Sequence, residues 1–145
     1  MIKMAICDDE PLMVRELAGH LAGYLEEHSI TSCSVSSFSG GRALLERGGS
    51  FDVIFLDIQM ERPDGMETAR LLRQRGDDSL LVFVTVLKEL VFDAFQVEAF
   101  DYLLKPLDSV CFKRTMDRLF RALERKRPED IVIPRGSGCE VVLLS

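Results

Sequence analysis

Short apolar runs alternate along this chain with longer stretches whose hydrophobic residues recur every three or four positions. The runs occupy residues 2–7, 32–38, 51–57, 79–85 and 100–104, and each is short and apolar enough to predict a β-strand. Between the first two, residues 11–27 place Val14, Leu17, Ala18, Leu21 and Leu25 on one helical face. Residues 64–75 do the same through Met66, Ala69 and Leu72, and Gly76 then offers the left-handed cap that ends such a helix. Residues 87–97 and 109–127 predict two further helices, the second through Phe112, Met116, Leu119, Phe120 and Leu123. A short helix at about 40–47 completes the set.

Strict alternation of strand and helix predicts an α/β fold, a doubly wound five-stranded parallel sheet with helices on both faces. Residues 51–57 and 80–84 are almost wholly apolar, as central strands are, whereas residues 31–38 alternate with polar positions and suit an edge. An edge second strand is what the order 2-1-3-4-5 requires, with the crevice at the carboxyl ends of strands 1 and 3. Asp8 and Asp9 follow the first run, Asp57 closes the third and Lys105 follows the fifth. Carboxylates brought so close repel one another, so the pocket needs a cation beside the ammonium to be stable. That is the makeup of a magnesium-dependent site for placing a phosphoryl group on an aspartate.

With 145 residues, 47% of them hydrophobic and 29% charged, the chain is large enough for one globular domain. A net charge of −6 argues against a wholesale nucleic-acid binder. The charge is uneven: residues 109–128 hold seven Lys/Arg against two acids, +5, which leaves −11 elsewhere. This basic stretch reads as a solvated face with salt bridges to acidic neighbours or a dimer mate, in preference to a phosphate-contacting surface. No apolar stretch reaches the ~18 residues of a membrane span and no signal-peptide pattern opens the chain, so a cytoplasmic location without membrane contact is expected. Cys7, Cys33, Cys111 and Cys139 form no C-x-x-C pair and read as buried free thiols in a reducing cytoplasm, and His20 and His28 share no ligand spacing with them. Residues 128–130 read as a linker, and residues 131–145 as two short strands around the Gly136-Ser137-Gly138 turn.

Taken together, Cys7-Asp8-Asp9-Glu10, Phe55-Leu56-Asp57-Ile58-Gln59-Met60, Asp64-Gly65, Phe83-Val84-Thr85 and Tyr102-Leu103-Leu104-Lys105-Pro106 resemble the receiver domain of bacterial response regulators, a flavodoxin-like fold. The resemblance covers residues 1–127 in order and at the family's spacing. It implies that Asp57 is the phosphoacceptor for a sensor histidine kinase. It also implies Mg²⁺ bound directly by Asp9, Asp57 and the backbone carbonyl of Gln59, with Asp8 acting mostly through a water. Mg²⁺ wants an octahedron of hard oxygens and keeps several waters, so few protein ligands suffice. Asp8 to Pro11 also reads as a helix start, with acids near the N-terminus and Pro at the first position. Lys105 is implied to pair with the acceptor and then with the phosphoryl oxygens, across a cis bond to Pro106. Thr85 matches the switch hydroxyl, and Tyr102 the aromatic that turns inward when Thr85 is drawn to the phosphate. Such a domain is not an enzyme; it promotes only its own phosphorylation and dephosphorylation.

Val86 stands where the family usually has a small residue, and Glu61 and Pro63 replace a frequent proline and methionine in the loop after Asp57. Residues 92–106 resemble receivers joined to LytTR-type DNA-binding domains. By that likeness residues 128–145 are a linker and the truncated start of such an output domain, and DNA is bound only through the missing part. Homodimerisation on phosphorylation is expected through the face of the fourth helix, fifth strand and fifth helix. Two other classes fit less well. Haloacid-dehalogenase-type phosphatases need a second acid where Gln59 stands, and a dinucleotide-binding domain needs a G-x-G-x-x-G that is missing after the first run. The remaining alternative is a phosphorylation-independent interaction module on the same fold, although such modules usually lose an acid, the threonine or the lysine.

Overall fold

The computed structural model describes residues 1–47 and 50–126. Ten elements follow in chain order: β1 (Ile2–Cys7), α1 (Pro11–Glu27), β2 (Cys33–Phe38), α2 (Gly41–Arg47), β3 (Val53–Leu56), α3 (Gly65–Gln74), β4 (Leu80–Thr85), α4 (Val91–Gln96), β5 (Asp101–Leu104) and α5 (Ser109–Lys126). The strands form one parallel sheet ordered β2-β1-β3-β4-β5, the order expected from the polarity of the runs. β2 is the polar edge and β3, buried at every position, runs through the centre. The expected linker and strand pair of residues 128–145 lie outside the described residues.

Because strand side chains alternate, one sheet sustains two cores. Ile2, Met4, Ile6, Val53, Phe55 and Val82 face α1 and α5, where Leu17, Leu21, Phe112, Met116 and Leu119 meet them. Ala5, Cys7, Ile54, Leu56, Leu81 and Phe83 face the other way, onto Leu44, Met66, Ala69 and Leu72 of α2 and α3. The sequence patterns of α1, α2, α3 and α5 are thus satisfied by one face of the sheet or the other.

Local signals set the element ends. Pro11 occupies the first turn of α1, where its missing N–H is no loss. Asp64 caps α3 in a capping box: its carboxylate accepts from the Glu67 N–H at 2.9 Å, and the Glu67 carboxylate accepts from the Asp64 N–H at 3.0 Å. Gly76, at φ 82°, closes the same helix, its N–H donating to Arg73 O while the Asp77 N–H reaches Leu72 O. The expectation of a helix over 87–97 needs correction, since α4 begins only at Val91. Leu90 sits at the N-cap with no side-chain acceptor, and the Leu87 N–H is taken by the Thr85 hydroxyl at 3.3 Å. Nothing in residues 87–90 offers the Ser, Thr, Asp or Asn cap that an earlier start would need.

The cations of α5 behave as a solvated face with ionic neighbours. Lys113 pairs with Glu27 at 3.5 Å, Arg118 with Asp101 at 2.8 Å and Lys126 with Asp78 at 3.7 Å. Asp101 also accepts from the buried Thr115 hydroxyl at 2.6 Å, and Arg118 lies over the Phe100 ring at 4.7 Å, so α5 is fastened to β5.

Two glycines separate backbone need from accident. A Cβ at Gly65 would lie 2.0 Å from the Asp57 carbonyl oxygen, whereas a Cβ at Gly23 would meet nothing within 4 Å. Gly65→Ala should therefore destabilise by about 1–3 kcal/mol through forced displacement of the β3–α3 turn. Gly23→Ala, inside α1, should stabilise by about 0.5–1 kcal/mol. Urea unfolding of the two variants checks both signs.

Candidate functional site

The pocket forms because the parallel register brings three strand ends level. Cys7 pairs with Leu56 across β1 and β3, and Leu56 with Phe83 across β3 and β4. One residue further on, the Asp57 N–H still donates to Cys7 O at 3.0 Å and the Asp8 N–H to Phe38 O at 3.1 Å. Asp8 and Asp57 thus leave the ladder side by side. On the far side Thr85 pairs with Leu104, and the Lys105 N–H donates to Thr85 O at 2.9 Å. The Lys105–Pro106 bond is cis, as the resemblance implied.

Lys105 joins the two aspartates. Its Nζ lies 2.8 Å from Asp8 Oδ2 and 3.1 Å from Asp57 Oδ2, and the side chains are 8%, 7% and 4% exposed in that order. The free oxygens have uses of their own: Asp57 Oδ1 accepts from the Gln59 N–H at 3.2 Å, and Asp8 Oδ1 from the Glu10 N–H at 3.0 Å. Burial pushes the Asp57 carboxyl above its ordinary value of 3.8, the Lys105 charge pulls it back, and the Asp8 charge adds to the rise. Burial works against the Lys105 charge as well, yet its hydrogen bond to Asp8 and the Asp57 and Asp8 charges outweigh it and hold the ammonium above its ordinary range. Cys7, at the base of the pocket, reports the same negative field. Burial raises its thiol to about 12, with Asp8, Asp57 and Asp9 contributing.

Asp9 is exposed at the mouth. The acids whose carboxylate oxygens all lie within 4.8 Å of one another are Asp8, Asp9 and Glu10. Asp57 stands outside this trio, tied to Asp8 through Lys105. Glu10 is the acid that sequence reasoning passed over, because beside Pro11 it reads as a helix start. It is that too, as the N-cap of α1. The donors are hard oxygens and the pocket carries more anionic than cationic groups, which suits Mg²⁺ and not a soft metal.

Thr85 is fully buried and its hydroxyl accepts from the Leu87 N–H. Tyr102 is half-buried, its ring 6.1 Å from Phe83, and its hydroxyl donates to the Leu87 carbonyl. Thr85 and Tyr102 therefore meet through Leu87, a link that no sequence pattern announces because backbone groups make it. Gly65 is the remaining support: its N–H donates to Ile58 O at 2.9 Å, drawing the start of α3 against the backbone of Asp57.

Residues 4–116 match the profile described as "Response regulator receiver domain". Among curated proteins the chain is 36% identical over 136 residues to the transcriptional regulatory protein BtsR of Escherichia coli, covering 94% of this chain and 54% of that one. It is 38% identical over 122 residues to an uncharacterized response regulatory protein of Vibrio cholerae, covering 83% and 45% respectively. The chain thus spans about half the length of the curated relatives it matches. Among solved structures it resembles the response regulatory domain of protein mrkE from Klebsiella pneumoniae, with a TM-score of 0.76 and 31% identity over 86% of this chain and 99% of that one.

The charge balance predicts a stability effect. Asp57 has its folded-state value above the unfolded one, so ionised Asp57 costs stability once pH rises through that raised value. Lys105 has the other sense: its contribution is complete below its ordinary range and fades only in strong alkali. At neutral pH Asp57→Asn should therefore unfold at higher urea than the parent. The gap should close below about pH 4, where the parent carboxyl is protonated too. Urea titrations at neutral and acid pH check this.

Proposed function

Because the chain belongs to the response regulator receiver family, and is thereby the receiver of a two-component system, we propose that Asp57 is its phosphoacceptor. The observation that carries the reading is the buried Asp57 carboxylate held at 3.1 Å by Lys105 beside a second buried acid, Asp8. A carboxylate oxygen of Asp57 attacks the phosphorus of a phosphohistidine on a sensor kinase. The P–N bond breaks, the imidazole leaves with its electron pair, and an acyl phosphate forms on Asp57. Lys105, already within reach of Asp57 Oδ2, moves its charge onto the incoming phosphoryl oxygens while keeping Asp8 as a second partner. Little covalent work is asked of the protein; orientation and neutralisation of charge are its contribution.

Asp9, Asp57 and the Gln59 carbonyl would hold Mg²⁺, with Asp8 acting through water and Glu10 close enough to join. The ion supplies neutralisation of the phosphoryl oxygens and of the acidic pocket. Thr85 donates its hydroxyl to a phosphoryl oxygen, which releases the Leu87 N–H it now accepts. Tyr102, bonded to the Leu87 carbonyl, follows that segment inward. Val86, 53% exposed beside Thr85, narrows the approach for small phosphodonors relative to the kinase.

Beyond the receiver we propose a transcriptional output of LytTR type that binds DNA through residues beyond this chain. The likeness to a transcriptional regulatory protein, of which the match covers 54%, supports this. Phosphorylation brings two copies together through α4, β5 and α5, and the exposed Phe92, Phe95 and Val110 supply apolar surface for that contact. The protein acts in the cytoplasm; no described helix is long and apolar enough to cross a membrane.

Three outcomes follow. Asp57→Ala should take up no phosphoryl group from a phosphorylated kinase while keeping the far-ultraviolet spectrum of the parent; retained label on the variant refutes the acceptor assignment. Fluoroberyllate with Mg²⁺ should shift amide resonances at Thr85 and Tyr102, whereas an unresponsive parent favours the interaction module. Asp9→Asn should weaken Mg²⁺ by at least the ~10-fold that losing an outer-shell partner costs, read by isothermal titration.

A further inference from the structure

The Arg73 guanidinium, projecting from the last turn of α3, directs its donors to backbone carbonyls. Its Nε donates to Val97 O at 2.7 Å, one terminal nitrogen to Glu98 O at 3.1 Å and the other to Asp77 O at 2.9 Å. Val97 is the C-cap of α4, and carbonyls at a helix end have no partner within their own helix. α4 thus takes part of its C-terminal cap from α3. The turn that Arg73 holds is a strained one. Glu98 sits at φ 54°, a left-handed conformation that favours glycine. Even so, the Glu98 N–H donates to Phe95 O at 3.0 Å and the Ala99 N–H to Ala94 O at 3.0 Å, closing the helix in a Schellman pattern. A residue stays in so sparse a conformation only where its surroundings fix it. Arg73 fixes it by gripping the two peptide groups that flank the Glu98 Cα, and Val97 anchors the same turn in the core at 3% exposure.

The other end of α4 is built more loosely. Leu90 caps it without a side-chain acceptor, and Ala94 alone is buried along its length. The segment before it is linked through Leu87 to the Thr85 and Tyr102 hydroxyls, the groups assigned above to the switch. α3, which carries Arg73, abuts the Asp57 backbone at its own start, where the Gly65 N–H donates to Ile58 O. We propose that Arg73 is a positioning residue for the switch. It pins the C-terminal end of α4 as a pivot, so that release of Leu87 at the opposite end turns the helix instead of sliding or unwinding it. A helix held at one end carries its exposed Phe92 and Phe95 through a defined arc. The pivot belongs to the resting structure; what sets the helix turning rests on the phosphoacceptor reading.

Amide hydrogen exchange of the resting chain tests the pivot, and fluoroberyllate with Mg²⁺ tests its use. At rest the Glu98 and Ala99 amides should exchange about tenfold more slowly than the Ala94 amide, which bonds Leu90 O. Arg73→Gln should erase that gap by speeding Glu98 and Ala99, while amides of β1 and β3 keep the parent rates. Arg73→Lys should do the same, because an ammonium keeps the charge and loses the fork. Adding Glu98→Gly to Arg73→Gln should restore slow exchange, since glycine holds the left-handed turn unaided. Fluoroberyllate should shift amides of residues 87–93 in the parent and leave 97–99 in place. In Arg73→Gln the shifts should spread through 97–99 with fluoroberyllate affinity unchanged. Equal exchange at the two ends of α4 in the parent, or a gap that both Arg73 variants preserve, overturns the pivot. Parent shifts at 97–99 as large as those at 87–93 overturn its use in switching. A parent unresponsive to fluoroberyllate overturns that use together with the phosphoacceptor reading, while hydrogen exchange decides the pivot by itself.

Discussion

The architecture turns on one buried contact, the Lys105 ammonium between Asp8 and Asp57. Each of the three side chains is less than a tenth exposed, and a buried ion without partners is too costly to keep. The ammonium can answer two carboxylates only if β1, β3 and β5 end at one level, although β4 separates β3 from β5 in the sheet. Sheet order, strand register and the close approach allowed by Gly65 are therefore conditions of a single electrostatic arrangement. Two acids against one ammonium still leave the pocket negative, and that charge adds to burial, the larger cause, in raising the thiol of Cys7. Such an excess of hard carboxylate oxygens suits a cation.

Rigidity is distributed unevenly around this centre. α5 is fastened by seven buried residues, by the Asp101 contacts with Thr115 and Arg118, and by the stacking of Arg118 on Phe100. α4 has six residues and buries only Ala94 among them. Its ends are held differently: Arg73 binds the carbonyls of Val97 and Glu98 just past its C-terminus, while the segment before it is tied to Tyr102 through Leu87. An element with so little apolar burial sits at the low end of local stability, so α4 is where the fold yields first.

The fold was legible because periodicity and polarity agreed. Residues 2–7 and 11–27 fall as β1 and α1 without adjustment, and the serine-rich edge strand alone nearly dictated the order of the sheet. Periodicity alone overextends α4, because Leu87 and Leu90 continue the apolar period while lacking a cap, a case where pattern and helix-end chemistry disagree. Asp8, Asp9, Asp57 and Lys105 could be placed from strand ends because charged residues closing apolar runs have few structural uses. The Leu87 bridge between Thr85 and Tyr102 could not, since backbone groups carry no residue identity. Glu10 was hidden by serving two purposes, and the Arg73 contacts by reaching backbone groups distant in sequence.

The contributors to the acidic pocket run from residue 8 to residue 105, and no short segment holds more than a fragment of it. Most contacts that align them join strands far apart in sequence, so loop-closure entropy delays the pocket until nearly the whole sheet has assembled. During synthesis a ribosome-bound chain that has not yet released Lys105 presents two aspartates with no ammonium between them. On the phosphoacceptor reading proposed above, competence for phosphate chemistry would coincide with completion of folding, and a half-made copy would be silent without any separate safeguard.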